Sequence, residues 1–164
     1  MDTAILYGDC EKTLGQVSID NWEVVSKIPA LKSDCRDIVK WVLESVEMSL
    51  KKLKIDQLYG LLLHHPSDLL GESGEDLFLG LQTCKDQGMV RKIGISIYDP
   101  SELDTIQPRF NLDIVQSPFN VLDRRLEKSS WLERLHSFGT EIHVRSVFLQ
   151  GLLLMKRENL PELF

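Results

Sequence analysis

The sequence is poor in the features that mark several large functional classes. It has only three cysteines, Cys10, Cys35 and Cys84, an odd number without CxxC spacing. A disulfide framework and a zinc site are therefore not expected, no metal site is visible, and a reducing compartment fits. There is no basic excess: the net charge is -6 and the isoelectric point about 5.2. That balance argues against a nucleic-acid partner, which would need a basic surface. No apolar run reaches the roughly 18 residues of a membrane span, and no basic segment leads into an apolar stretch at the start. No membrane partner is expected, and a cytoplasmic location is the default. No GxGxxG opens a helix, and neither a phosphate-binding lysine loop nor a GxSxG elbow is present. The usual signals of dinucleotide-binding open sheets, nucleotide hydrolysis and serine hydrolysis are thus lacking.

What is present suits one folded unit, with 43% hydrophobic and 27% charged residues in 164. The organising stretch is Ile55 to Leu70, IDQLYGLLLHHPSDLL. Its apolar run Leu58–Leu63 is stopped by Pro66 and reads as a strand buried on both faces. Strict alternation puts Leu58, Gly60, Leu62 and His64 on one face, and Tyr59, Leu61, Leu63 and His65 on the other. Trp22 to Ile28 is β-branched and ends at Pro29, so it reads as a strand with Lys27 near its carboxyl end. From Ser33 or Asp34 to Leu53 a helix is expected, with Val39, Val42, Val46, Leu50 and Leu53 on one stripe. Lys51, Lys52 and Lys54 crowd its last turn, where they offset the helix dipole.

A second helix uses Leu77, Leu81 and Cys84 and ends before Gly88. Arg91 to Ile97 is then a strand with Ile93, Ile95 and Ile97 on one face and Lys92, Gly94 and Ser96 on the other. Small and polar residues on a strand face suit the close approach of a ligand or of another backbone. Asp99, Pro100 and Glu102 form a helix start of capping-box type. Asp113 to Ser117 is a strand whose Gln116 needs partners if buried. A helix over Asp123 to Phe138 and a last strand over Glu141 to Phe148 follow. His136 and His143 have no ligand-spaced neighbours and are read as structural.

Strands and helices alternate, which predicts an α/β fold with a parallel sheet, and a part of a (β/α)8 barrel is favoured over an open doubly wound sheet. Six segments in register then become specific: DTAILYG at Asp2 to Gly8, VSKIP at Val25 to Pro29, LLHHP at Leu62 to Pro66, GIS at Gly94 to Ser96, QSPFN at Gln116 to Asn120, and RSVFLQG at Arg145 to Gly151. Together they resemble the aldo-keto reductase family.

The resemblance implies an oxidoreductase that uses NADPH or NADH to reduce a small aldehyde, ketone or sugar-derived carbonyl. It implies a catalytic tetrad at Asp2, Tyr7, Lys27 and His64. Tyr7 is the expected proton donor, Lys27 its pKa-lowering neighbour, Asp2 the holder of Lys27, and His64 the residue that orients the carbonyl oxygen. Ser96 and Gln116 are expected to grip the nicotinamide carboxamide, with Arg145 and Ser146 also on the cofactor side. Ile97 stands where many members have asparagine, and Arg145 where many have an aromatic that stacks on the nicotinamide. Because a complete barrel of this type takes about 250 residues, residues 1–164 are expected to hold approximately strands 2 to 7. The open sheet edges of such a piece would favour self-association. The alternative reading is an inactive fragment or a regulatory subunit that keeps the reductase fold.

Overall fold

The apolar runs become the strands of one parallel sheet. In the computed structural model, which describes residues 1–19 and 21–160, the strands are β1 (Val25–Ile28), β2 (Leu58–Leu63), β3 (Val90–Ser96), β4 (Ile114–Pro118) and β5 (Glu141–Arg145). They pair in the order β1-β2-β3-β4-β5, so sequential neighbours are joined by crossovers. Helices α2 (Ile38–Leu53), α3 (Gly74–Asp86) and α4 (Glu102–Ile106) supply the first three crossovers, and α5 (Arg125–Lys128) with α6 (Trp131–Ser137) supplies the fourth. A short α1 (Cys10–Leu14) precedes β1, and Asp2 adds one parallel bridge to Val25 at that edge. Among the described residues no helix is long and apolar enough to cross a membrane.

The sheet is curled. Gln116 on β4 donates from Nε2 to Asp2 Oδ1 at 2.8 Å, although Asp2 lies beyond β1. In a flat sheet those positions would be about 19 Å apart, at roughly 4.8 Å per strand. A glutamine and an aspartate side chain cannot span that gap, so the strands must close towards one another as in a barrel. A second staple crosses the same concave face, where Tyr59 Oη on β2 donates to Glu141 Oε1 on β5 at 2.8 Å and accepts from Lys92 Nζ at 3.1 Å.

The convex face carries the larger core. Leu61, Leu63, Ile93, Ile95, Ile97 and Val115 pack under Val42, Val46 and Leu53 of α2 and Leu77, Leu81 and Cys84 of α3. Burial pushes the Cys84 thiol up to about 11, as befits a core residue. The concave face holds a small cluster of Val25, Leu62 and Ile114 with Tyr59 against it. Tyr59 thus departs from strict alternation, since Leu58, Leu61 and Leu63 lie together in the convex core. The cause is a local bulge: the Tyr59 and Gly60 amides both donate to the Val24 carbonyl, at 2.9 and 3.3 Å.

Several boundaries differ from the sequence expectation. The first long helix starts at Ile38, because the Asp37 side chain accepts from Lys40 N at 3.0 Å and caps it there. The strand expected from Trp22 is regular only over Val25–Ile28. The helix expected over Asp123 to Phe138 is broken in two where Ser130 takes φ 61, and the last strand ends at Arg145 because Ser146 takes φ 57.

Gly94 settles one question that the sequence leaves open. A Cβ there would lie 1.9 Å from the Ile114 carbonyl oxygen, so the small residue answers to a neighbouring backbone and not to a ligand. Gly94→Ala is expected to force β3 and β4 apart and to cost about 3 kcal/mol, the upper end of ordinary overpacking. Urea unfolding measures this, and an unchanged midpoint would refute the tight β3–β4 contact.

Candidate active site

The register gathers the expected residues at one rim. Ile28 is level with Leu63, Leu63 with Ile95, and Ile95 with Val115. Lys27 therefore lies one residue below that row, and His64, Ser96 and Gln116 lie one residue above it. All four stand at the carboxyl ends of parallel strands, the end where barrel active sites are built.

Lys27 is the anchor. It is only 1% exposed, and a buried ammonium has to be paired and hydrogen-bonded. Its Nζ donates to both oxygens of Asp2, each at 2.8 Å, and to the Thr3 carbonyl at 3.0 Å. The same Nζ lies 5.4 Å from the centre of the Tyr7 ring. Tyr7 is half exposed, and its ring meets His64 edge-on at 6.0 Å between centres. His64 Nδ1 is buried and has no hydrogen-bond partner among the described residues. The structure thus brings Asp2, Tyr7, Lys27 and His64 into one group.

The electrostatics of Tyr7 run opposite to the expectation. Its pKa is raised, first by burial and then by the Asp2 carboxylate, with the Arg145 guanidinium acting in the lowering direction. Lys27, whose charge is matched at contact distance by Asp2, does not reverse that direction. The phenol consequently remains protonated at neutral pH. His64 is shifted down, chiefly by burial and then by the positive charge of Lys27, so it is a neutral imidazole at pH 7.

The His64 shift has a consequence for stability. With the folded pKa below the unfolded value of about 6.5, the contribution of His64 is fully present above about pH 6.5 and is lost as pH falls through the folded pKa. Unfolding midpoints should therefore drop on acidification below about pH 6.5 in the wild type and drop less in His64→Gln. Equal slopes in the two proteins would contradict this.

On the far side of the rim, Ser96 Oγ donates to Gln116 Oε1 at 3.3 Å. Both residues are buried. Gln116 keeps one N–H and one lone pair beyond its bonds to Asp2 and Ser96, and these match the acceptor and donor of a carboxamide. The donor set therefore fits a nicotinamide amide. Arg145 stacks on Tyr98 at 4.5 Å, and its Nη2 donates to the Ile97 carbonyl at 3.0 Å. Ser146 offers its carbonyl to Asn120 Nδ2 at 3.2 Å. The Ile97 side chain is buried in the convex core, so the asparagine-to-isoleucine departure lies on the side away from the rim.

Sequence reasoning passed over Tyr98 and the Thr3 carbonyl. Tyr98 leaves no local signal, since its role depends on an arginine 47 positions later that stacks on it. An open cavity of about 590 Å³, lined by Asp2, Val25, Tyr59, Gln116 and His143 among others, occupies the concave face. Tyr7, Lys27, His64 and Ser96 do not line it, so it is the inner hollow of the curled sheet and not the space beside the Tyr7 hydroxyl.

Comparison with known proteins agrees with this arrangement. The chain is 31% identical over 88 residues to the aldo-keto reductase YhdN of Bacillus subtilis (strain 168), a match covering 54% of this chain and 26% of that protein. The holo form of an aldo-keto reductase from Bacillus halodurans superposes with a TM-score of 0.77 at 24% identity, covering 98% of this chain and 56% of that one. An aldo-keto reductase from Klebsiella pneumoniae in complex with NADPH gives 0.74 at 21% identity, with coverages of 94% and 55%. The chain thus spans about half the length of these solved structures, and at such identities they speak for the fold. The model of the aldo/keto reductase family matches residues 1–163, nearly the whole sequence, and the chain belongs to that family.

Proposed function

We propose that this chain carries the catalytic rim of an NADPH- or NADH-dependent carbonyl reductase acting on a small aldehyde, ketone or sugar-derived carbonyl. The observation that carries the reading is the buried Lys27 ammonium held by Asp2 beneath a protonated Tyr7, with His64 at the edge of the Tyr7 ring. Family membership supports it, and so does the NADPH bound by the similar Klebsiella protein.

In this reading a reduced nicotinamide supplies a hydride to the carbonyl carbon. Tyr7 transfers the proton from Oη to the carbonyl oxygen, which with the hydride completes the alcohol. A phenol with a raised pKa is a fully protonated donor at neutral pH, and the neighbouring cation tempers the phenolate left behind. Neutral His64 offers a hydrogen bond to the same oxygen and fixes its direction. Asp2 keeps Lys27 in place, and Ser96 with Gln116 holds the carboxamide. Arg145 and Ser146 would complete the cofactor side, the Arg145 guanidinium supplying a planar cation there.

Titrating NADPH and NADH while following cofactor fluorescence tests this assignment. Saturable binding of at least one of them, weakened several-fold by Ser96→Ala, is expected. Absence of saturable binding for both would overturn the proposal.

A further inference from the structure

Asp2 has a demanding task and a side chain that its backbone pairing, through Met1 and Thr3 to Val25, does not orient. Its carboxylate must meet Lys27 Nζ with both oxygens at 2.8 Å, yet its side chain is 47% exposed. Its backbone joins the sheet through a single bridge to Val25. A half-exposed carboxylate at a sheet edge is free to turn towards water unless something else grips it. The described residues supply one further grip, the Gln116 amide, which donates to Asp2 Oδ1 at 2.8 Å from the opposite side of the concave face.

The orientation of that amide is forced. An ionised carboxylate only accepts, so the nitrogen of Gln116 must face Asp2, and the oxygen then faces Ser96 Oγ, which donates to it at 3.3 Å. A flipped amide would set two acceptors against each other. Gln116 is 3% exposed and held at both ends, so it can act as a rigid strut. A hydrogen-bonded chain therefore runs from Ser96 through Gln116 and Asp2 to Lys27, across the face between β3 and the edge beyond β1.

We infer that Gln116 is a positioning residue for the Asp2–Lys27 pair: it fixes the Asp2 carboxylate so that Lys27 stays beneath Tyr7. This role rests on the proposed function for its catalytic meaning and is distinct from any grip on a carboxamide. It also ties the two ends of the site together. Whatever orders Ser96 and Gln116 orders Asp2 and Lys27 as well, and the coupling runs equally in both directions.

The test begins without cofactor. Acetic anhydride is applied to the purified chain, and the acetylation of individual lysines is followed by mass spectrometry. In the wild type Lys27 should react slowly, being buried with three acceptor contacts. Lys85, paired with Asp113, and Lys92, paired with Glu141, serve as internal references.

Gln116→Met keeps the length of the side chain and removes the donor. Gln116→Glu keeps an acceptor for Ser96 and turns the strut against Asp2. Both variants should raise Lys27 labelling by at least about fivefold, as the loss of one hydrogen bond to a charged group allows. The two reference lysines should not change. Asp2→Asn should also raise Lys27 labelling, and adding Gln116→Met to it should add little, because the two changes remove one shared interaction. Unchanged Lys27 labelling in both Gln116 variants overturns the inference. So does a rise at all three lysines in both variants, which would make Gln116 a general element of the fold.

The labelling needs neither cofactor nor turnover, so it can fail while dinucleotide binding holds, or hold while that binding fails. Where turnover is measurable, a positioning role lowers kcat at saturating cofactor. A role confined to gripping the carboxamide raises the cofactor Kd and leaves kcat and Lys27 labelling alone.

Discussion

Tyr7→Phe is expected to lower any turnover of a small aldehyde by at least about 100-fold while leaving cofactor affinity almost unchanged. The substitution keeps the ring that meets His64 at 6.0 Å and covers Lys27 Nζ at 5.4 Å, so packing and the cation–ring contact survive. Only the hydroxyl is lost. Of the four grouped side chains Tyr7 is the one suited to give a proton at neutral pH, since its pKa is raised while His64 is neutral with its own pKa lowered. Lys27 is committed to Asp2 and the Thr3 carbonyl. Steady-state kinetics with glyceraldehyde, together with a fluorescence titration of the cofactor, separates the two effects. Undiminished turnover would assign the proton to another group.

A large stability effect is also expected at Asp2. Asp2→Ala leaves the Lys27 ammonium buried without its counter-charge, and breaking a fully buried pair costs about 3–5 kcal/mol. Asp2 is itself half exposed, so water and the Thr3 carbonyl compensate in part, and a loss of about 2–3 kcal/mol is the discounted figure. Lys27→Met should cost less, because the carboxylate it leaves behind can turn to solvent while the methionine fills the space. Urea midpoints of the two variants compare the costs directly. Equal losses would mean that burial of the ammonium is not what makes the pair asymmetric.

The features legible in the sequence are those fixed by neighbours along the chain. Leu58–Leu63 is a strand as its apolar run implies, and Val42, Val46 and Leu53 form the buried stripe of α2. The capping-box bonds expected at Asp99 to Glu102 form: Glu102 Oε1 accepts from the Tyr98 and Asp99 amides at 2.7 and 2.8 Å, and Asp99 Oδ1 accepts from Ser101 N at 3.0 Å. The helix α4 itself, however, begins three residues after Asp99, at Glu102, with Ser101 at its N-cap. What escaped depends on partners far away in the chain. Tyr59 faces the concave side because Val24 takes two amide bonds, and Gly94 is small because Ile114 approaches it. The rise in the Tyr7 pKa follows first from burial and then from the Asp2 carboxylate, neither of which the order of residues reveals. The positions of Asp2, Tyr7, Lys27 and His64 were legible only through the family motifs, since a lysine or a histidine at a strand end has no chemistry legible from its immediate neighbours. That Gln116 reaches Asp2 requires the curl of four strands.

The most direct measurement is isotopic. NADPH deuterated at the transferable C4 position is incubated with the chain and glyceraldehyde, and the glycerol formed is analysed by mass spectrometry. Under the proposed function any glycerol formed carries one deuterium on the former carbonyl carbon, in an amount equal to the NADPH consumed, and its formation is nearly abolished by Tyr7→Phe. Glycerol formed without deuterium, or deuterium transfer that Tyr7→Phe leaves undiminished, would contradict it.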